Sequence, residues 1–223
     1  MKFETTEREL KMFFPSVQKR IPALFVIIAV SLITLVTACK KDKGHDPSPV
    51  NTPAKNIELS ENLMIPDAIA VPANLPDGNT RVATFYAVGI QRYRAMPKVG
   101  GNPGEFEWVF VEPYADLFNA TNQPVGTHSV GPTWQLVPST ADSIYGQAFT
   151  PAKTAPSPDA GTNIDWLLLQ PKDGKAPTGI FKDVLYIQRI ATKGGKAPAT
   201  APTVAGQMVD VQYTAIYRFT KKK

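Results

Sequence analysis

From Met208 to Phe219 the side chains alternate in character. Val209, Val211, Tyr213, Ala215, Tyr217 and Phe219 share one parity. Gln212, Thr214 and Arg218, joined by Ile216, share the other. Successive side chains of an extended chain point to opposite faces, so this period of two reads as a strand with one apolar face. A second long segment, "RVATFYAVGIQRYRAM" from Arg81, is rich in β-branched and aromatic residues. It places Val82, Tyr86, Val88 and Ile90 on one parity and Phe85 and Ala87 on the other, which suits a central strand covered on both faces. In "EFEWVFVEP", Phe106, Trp108 and Phe110 alternate with Glu105 and Glu107, and the aromatic face is expected to be core. Shorter candidates are "ADLFNA", "QPVGTHSV", "TWQLVP", "SIYGQAF", "IDWLLLQP" and "GIFKDVLYIQRIAT". "TPAKTAPSPDAGTN" is too rich in proline for an element and reads as a loop. "KGGKAPATAPTVAGQ" is a second loop, long for a compact domain.

No segment after Cys39 gives a convincing amphipathic helix longer than two turns. "EPYADLFNA" is the best candidate for a single helical turn. With 21 prolines and 15 glycines as punctuation, the chain is expected to be all-β, a single antiparallel β-sandwich, with a closed or partly closed β-barrel as the alternative.

The amino end has a different character. After Lys19 and Arg20 comes "IPALFVIIAVSLITLVTA", with no charged residue. A basic edge, an apolar core and small residues before a cleavage point are the parts of a secretory signal. The run is also close to the minimum length for crossing a bilayer. The sole cysteine, Cys39, favours the signal over the alternative, a retained transmembrane helix. Leu35-Val36-Thr37-Ala38-Cys39 resembles the bacterial lipobox, which implies diacylglyceryl transfer to the thiol, cleavage before Cys39, and a further acyl chain, such as palmitate, on the new amine. Two or more acyl chains hold a protein firmly on a bilayer.

The expected organisation is therefore a signal peptide over 1–38, a flexible tether over 39–56, a proline-rich lead-in over 57–80 and a β-rich domain over 81–221. The expected location is the bacterial cell envelope, lipid-anchored. The lysine after Cys39, in place of an inner-membrane retention aspartate, points to the outer membrane. Both periplasm-facing and outward-facing orientations stay open.

Composition narrows the chemistry. Lys and Arg number 24 against 19 Asp and Glu, a net charge of +5. No basic stripe or known nucleic-acid module accompanies this charge, so nucleic acid is not an expected partner. Once Cys39 is acylated no cysteine is left for a disulfide. With two histidines, His45 and His128, a zinc constellation is not expected either. The calcium-loop spacing is absent. No metal and no cofactor are assigned.

Three stretches, taken together, have a family likeness. "YAVGIQRYRA", "VGTHSVGPTWQL" and "WLLL…GIFKDVLYIQRIATKGGKAP…VQYTAIYRF" resemble the family catalogued as domain of unknown function 3455, over about Arg81 to Phe219. The resemblance implies an exported β-rich domain and carries no activity. Relatives often hold a cysteine after the first of these strands and another after the G-G-x-A-P loop. Here the first place is Ala95, and the second falls near Ala201 to Val204, also without cysteine. The resemblance thus implies a lost pairing and a looser loop.

The candidate binding residues are His128, Trp134, Gln91, Gln188 and Arg189. No catalytic residue is assigned. His128 in "GTHSVGPTW" can act as base, acid or hydrogen-bonding pin of a turn. Trp134, after Gly-Pro-Thr, is the best candidate for a pocket wall, while Trp108 reads as core. Gln91-Arg92 and Gln188-Arg189 echo each other in "GIQRY" and "YIQRI". The two glutamines, with His128, are candidates to line one polar pocket, each arginine turning to the opposite face from its glutamine. Glu105, Glu107, Glu112 and Asp116 form an acidic cluster that solvation explains by default.

The expected function is a membrane-anchored envelope lipoprotein, its partners the bilayer through Cys39 and a glycan, small-molecule or protein ligand. The alternatives are a structural or assembly lipoprotein, or a hydrolase centred on His128.

Overall fold

The computed structural model of the chain describes residues 51–72, 78–138 and 141–223. Cys39, the expected leader, the first part of the tether and Ser139 lie outside the described residues. Among the described residues eight strands follow one another: β1 (Asn79–Pro97), β2 (Phe106–Phe118), β3 (Pro124–Ser129), β4 (Thr133–Leu136), β5 (Ser143–Ala155), β6 (Trp166–Pro171), β7 (Val184–Gly194) and β8 (Met208–Lys222). Each pairs antiparallel with the next, and β1 pairs with β8, so the sheet closes in chain order. The architecture is all-β and antiparallel, as expected. Side chains from opposing stretches of the sheet meet across one apolar interior, the packing expected of a sandwich, while the hydrogen-bonded ladder itself has no break. Closure removes the unpaired edges that would otherwise invite aggregation.

The longest strands do most of the closing. In β1, Phe85 and Ala87 point inward. From β8, Tyr213, Ala215, Tyr217 and Phe219 do the same, and they meet Leu117, Trp134, Ile144, Leu169 and Ile187. The alternation that marks β8 as a strand is thus the alternation of interior and exterior. Gly146 in β5 makes room for the largest interior residue, because a Cβ there would lie 3.0 Å from the Trp134 ring.

The opposite face of β1, β5, β6, β7 and β8 is not bare. Helix α1 (Pro53–Ser60) begins at Thr52, whose hydroxyl accepts from the Lys55 N–H, and has proline in its first turn. It is followed by a 3-10 turn over Asp67–Ile69. Together they place Ile57 and Ile69 on Tyr86, Trp166, Leu168, Ile190 and Ile216. Residues 57–72 of the lead-in therefore lie on the domain surface, with a helix and a 3-10 turn. Helix α1 crosses the boundary expected between tether and lead-in at residues 56 and 57. Buried polar groups fix this seam. Arg218 donates from Nη2 to the Ser60 carbonyl at 2.6 Å, and Gln188 donates from Nε2 to the Ile69 carbonyl at 2.9 Å.

Three local expectations are corrected. "EPYADLFNA" is not a helical turn: through Phe118 it belongs to β2, in keeping with the strand reading of "ADLFNA", and its Ala115 and Leu117 enter the interior. Strand β5 runs on through Pro151 to Ala155, into the stretch expected to be loop. The ladder tolerates proline there because β5 and β6 shift register between Ala148 and Lys153. Phe106, Trp108 and Phe110 do not form a core face. Phe110 is 49% exposed, and the half-buried Trp108 donates from Nε1 to the Thr200 carbonyl.

That last bond helps to hold the long connection between β7 and β8. Ala95, which stands where relatives often have cysteine, is buried. Its N–H donates to the Gln207 carbonyl, and its carbonyl accepts from the Gly206 N–H. Backbone hydrogen bonds tie the loop to β1 at this point.

Candidate functional site

A cavity of about 300 Å³ opens at one end of the interior, beside the turn between β3 and β4. All eight strands contribute to it or to the cluster behind it. Gln91 comes from β1, His128 from β3, Trp134 from β4, Arg189 from β7 and Tyr217 from β8. Leu167 and Leu169 of β6 form an apolar wall. The rim is Phe110, Val111, Val130 and Ala148, all exposed. A shallower hollow adjoins it, sharing Gln91, Phe110, Leu167 and Arg189 and adding Tyr93, Asp165 and Lys196. The volume is at the small end of what ligand-binding clefts offer, and the lining follows their usual plan of apolar walls with a few polar groups.

The histidine sits at the back of the cavity. His128 is 2% exposed, and its ring stacks on Trp134 with centroids 4.6 Å apart and planes 15° off parallel. Tyr217 lies 4.9 Å from the same ring. His128 Nδ1 is 2.9 Å from the Thr133 carbonyl, which can only accept, so Nδ1 carries the proton and Nε2 keeps its lone pair. Burial pushes the imidazole pKa down from 6.5 to about 3; the Thr133 bond opposes this and the Arg189 charge adds to it. The ring is therefore neutral at physiological pH.

Among the described residues no hydrolytic constellation is assembled around His128. Its Nδ1 partner is a peptide carbonyl, not a carboxylate, and no aspartate or glutamate lines the cavity. Ser143 does not line the cavity, and its hydroxyl hydrogen-bonds with Thr178. Of the acidic cluster, Glu112 pairs with Arg92 at 3.0 Å on the outer surface, and Asp210 of β8 holds the other side of that guanidinium at 2.8 Å. Glu107 accepts from the Val99 N–H and Glu105 from Asn102. Among the described residues no three His, Cys, Asp or Glu side chains come together as a metal site.

The electrostatics of the cavity are set by Arg189. Its Nε and Nη2 both donate to the Asp165 carbonyl, at 3.2 and 2.8 Å. No carboxylate among the described residues pairs with it. Burial pushes the Tyr93, Tyr213 and Tyr217 phenols up, and the Arg189 charge pulls each part of the way back.

Several buried donors here lack a hydrogen-bond partner: Gln91 Nε2, Trp134 Nε1, and the hydroxyls of Tyr213 and Tyr217. The two tyrosines, Gln91 and Arg189 are close enough to influence the tyrosines' ionisation, but the Gln91 Nε2, Tyr213 Oη and Tyr217 Oη atoms are not in hydrogen-bonding geometry. Gly195, at φ +85°, keeps this region tight. A Cβ on it would lie 2.8 Å from Tyr213 Cβ and 3.1 Å from Gln91 Cγ. Buried unpaired donors are rare in folded proteins, each costing about 1–3 kcal/mol, so a cluster of them at a cavity points to a binding site.

A family profile described as "Protein of unknown function (DUF3455)" matches residues 120–221. The match takes in His128, Trp134, Gln188, Arg189, Tyr213 and Tyr217. Gln91 and the rim residues of β2 lie before it. No curated protein and no solved structure showed significant similarity to the chain.

Four of the five residues singled out from the sequence, His128, Trp134, Gln91 and Arg189, line the one cavity. Gln188 does not. It faces outward into the seam under the 3-10 turn and is satisfied there by Ile69. Trp134 forms a wall, though fully buried and covered by His128 on one face. Tyr217, Tyr213 and Phe110 went unassigned from sequence. The signal for the tyrosines was present, since they share the inward parity of β8. Nothing in the pattern of β2 marks Phe110 as a rim.

Proposed function

We propose that this chain is a lipid-anchored protein of the bacterial cell envelope, tethered through Cys39 to the outer membrane, whose β-domain binds a small molecule in the cavity beside His128 and Trp134. The anchor is supported by the apolar run and the Leu35–Cys39 stretch. Binding is supported by one observation above all: a cavity open to solvent on one side holds, on the other, Gln91 Nε2 and Tyr217 Oη buried without partners, and beside them Arg189, which has no carboxylate partner among the described residues. Membership of the unknown-function family over the full domain, from Arg81, is the reading that the matched part and the first-strand motif support.

A small molecule fits better than a glycan. Sugar rings stack on exposed aromatic faces, but one face of Trp134 is occupied by His128, and its edge contacts with Tyr217 and Phe219 leave it 0% exposed. An assembly role would draw on the exposed apolar residues of β2. Two of these, Phe110 and Val111, already serve as the cavity rim.

Native mass spectrometry of the protein released from its own membrane tests both halves. The expected spectrum shows acyl chains on an amino-terminal Cys39 and a bound small molecule that is lost in Ala148→Trp, which plugs the exposed rim. An intact leader with a free thiol contradicts the anchor. A ligand-free spectrum identical in parent and variant contradicts the binding reading.

A further inference from the structure

We infer that the ligand is a monocarboxylate with an apolar body, its carboxylate held by Arg189 and Gln91 and its apolar part lying between Leu167, Leu169 and the rim. The inference rests on the binding role proposed above and adds the chemical class.

Charge comes first. Arg189 is the sole formally charged side chain lining the cavity, and it has no carboxylate partner among the described residues. The Asp165 carbonyl takes Nε and Nη2, which fixes the plane of the guanidinium and leaves its remaining N–H groups for another acceptor. A fixed planar fork suits a carboxylate, which accepts two parallel hydrogen bonds. His128 adds no second positive charge, because its ring is neutral. In the adjoining hollow Lys196 already donates to the Ala160 carbonyl, and Asp165 offsets it. One net positive charge fits a monoanion better than a phosphate dianion.

The unpaired atoms agree with this. Gln91 Nε2, Trp134 Nε1 and Tyr217 Oη can all donate, and each lacks an acceptor. An acceptor-only group such as a carboxylate meets that need, whereas an ammonium or guanidinium ligand would leave the donors unmet and face Arg189. The rest of the lining is apolar. Leu167 and Leu169 form the wall, and Phe110, Val111 and Val130 are an exposed apolar rim at 49%, 42% and 56%. Exposed apolar residues around a cavity mouth mark the path of an apolar ligand. A small polar acid would leave this rim unused.

The test is isothermal titration of the full chain in lipid nanodiscs with phenylacetate and its neutral analogue phenylacetamide. Arg189→Met, Arg189→Lys and Ala148→Trp are compared with the parent, and folding is checked by far-ultraviolet circular dichroism. The expected result is saturable phenylacetate binding that weakens at least about tenfold in Arg189→Met and in Ala148→Trp, and a similar loss for the amide on the parent. Arg189→Lys, which keeps the charge and folds if the methionine variant does not, should bind more weakly than the parent but more tightly than Arg189→Met. If amide and acid bind alike and only Ala148→Trp abolishes them, the cavity binds ligands but the carboxylate assignment is overturned. Competition by inorganic phosphate as strong as by unlabelled phenylacetate overturns the apolar body. If neither probe gives saturable heat on the parent, the carboxylate assignment fails, and ligand co-purifying in the mass spectrum then decides whether the binding reading fails with it.

Discussion

Two fully buried glutamines, Gln91 and Gln188, and two arginines beside them, Arg189 and Arg218, lie on opposite sides of the same sheet. Under α1 and the 3-10 turn, Gln188 donates to Ile69 and Arg218 to Ser60, with Glu61 3.5 Å from the arginine. In the interior, Gln91 Nε2 has no partner and Arg189 has no counter-ion among the described residues. Arg218 Nε is also unpartnered, and the hollow that it lines with Gln188 and Arg81 is more open and more polar than the cavity at His128. Polar groups buried with partners hold two elements together. Polar groups buried without partners, beside a cavity, are an unmet demand that something outside the chain can satisfy.

The comparison can be sharpened by perturbing each side, and the largest effect should come from acid. In the unfolded chain His128 takes a proton near pH 6.5, and in the folded chain only near 3. Folding holds the neutral form, so its contribution is complete above about pH 6.5 and is lost as pH falls from there towards 3. Over that window the loss approaches about 5 kcal/mol. Urea unfolding of parent and His128→Phe from pH 7 to pH 3 should show a steeper decline for the parent, the carboxylates contributing equally to both.

Trp134→Ala should cost about 3–5 kcal/mol in the same measurement, because it removes a fully buried indole that supports His128, Tyr217 and Phe219. Arg218→Met should cost about 2–3 kcal/mol, by leaving the Ser60 carbonyl without its charged donor, and should loosen the lead-in. Protease cleavage between Asn51 and Val71 should accelerate in that variant and not in Arg189→Met. Equal cleavage in both would erase the distinction between seam and site.

Much of the fold was legible. The alternation in Met208–Phe219 and the long segment from Arg81 became β8 and β1, the pair that closes the sheet. Helix α1 was not legible, because its eight residues carry only a weak apolar stripe and gain stability by docking Ile57 on the sheet. The role of Phe110 was hidden for a related reason. Alternation shows that a strand has two faces, but not that a face lies at the open end of the interior.

The site was legible in its residues and misleading in one. Gln91-Arg92 and Gln188-Arg189 look alike, yet they enter the sheet in opposite phase. In β1 the inward parity holds Phe85, Ala87 and Gln91. In β7 it holds Ile187 and Arg189, while Gln188 and Ile190 face the seam. Both faces of β7 are covered by apolar groups, so hydrophobic pattern alone could not say which residue of the dipeptide turns inward.

That echo supplies the most direct measurement: the unfolding free energies of Gln91→Leu and Gln188→Leu, determined side by side without added ligand. Removing the Gln188 amide should leave the Ile69 carbonyl unsatisfied and cost about 1–3 kcal/mol. Removing the unpartnered Gln91 amide should leave stability unchanged or raised by up to about 1 kcal/mol, while phenylacetate binding is lost. Equal losses in both variants would mean that Gln91 is as much a structural group as Gln188, and the distinction between seam and binding site would not stand.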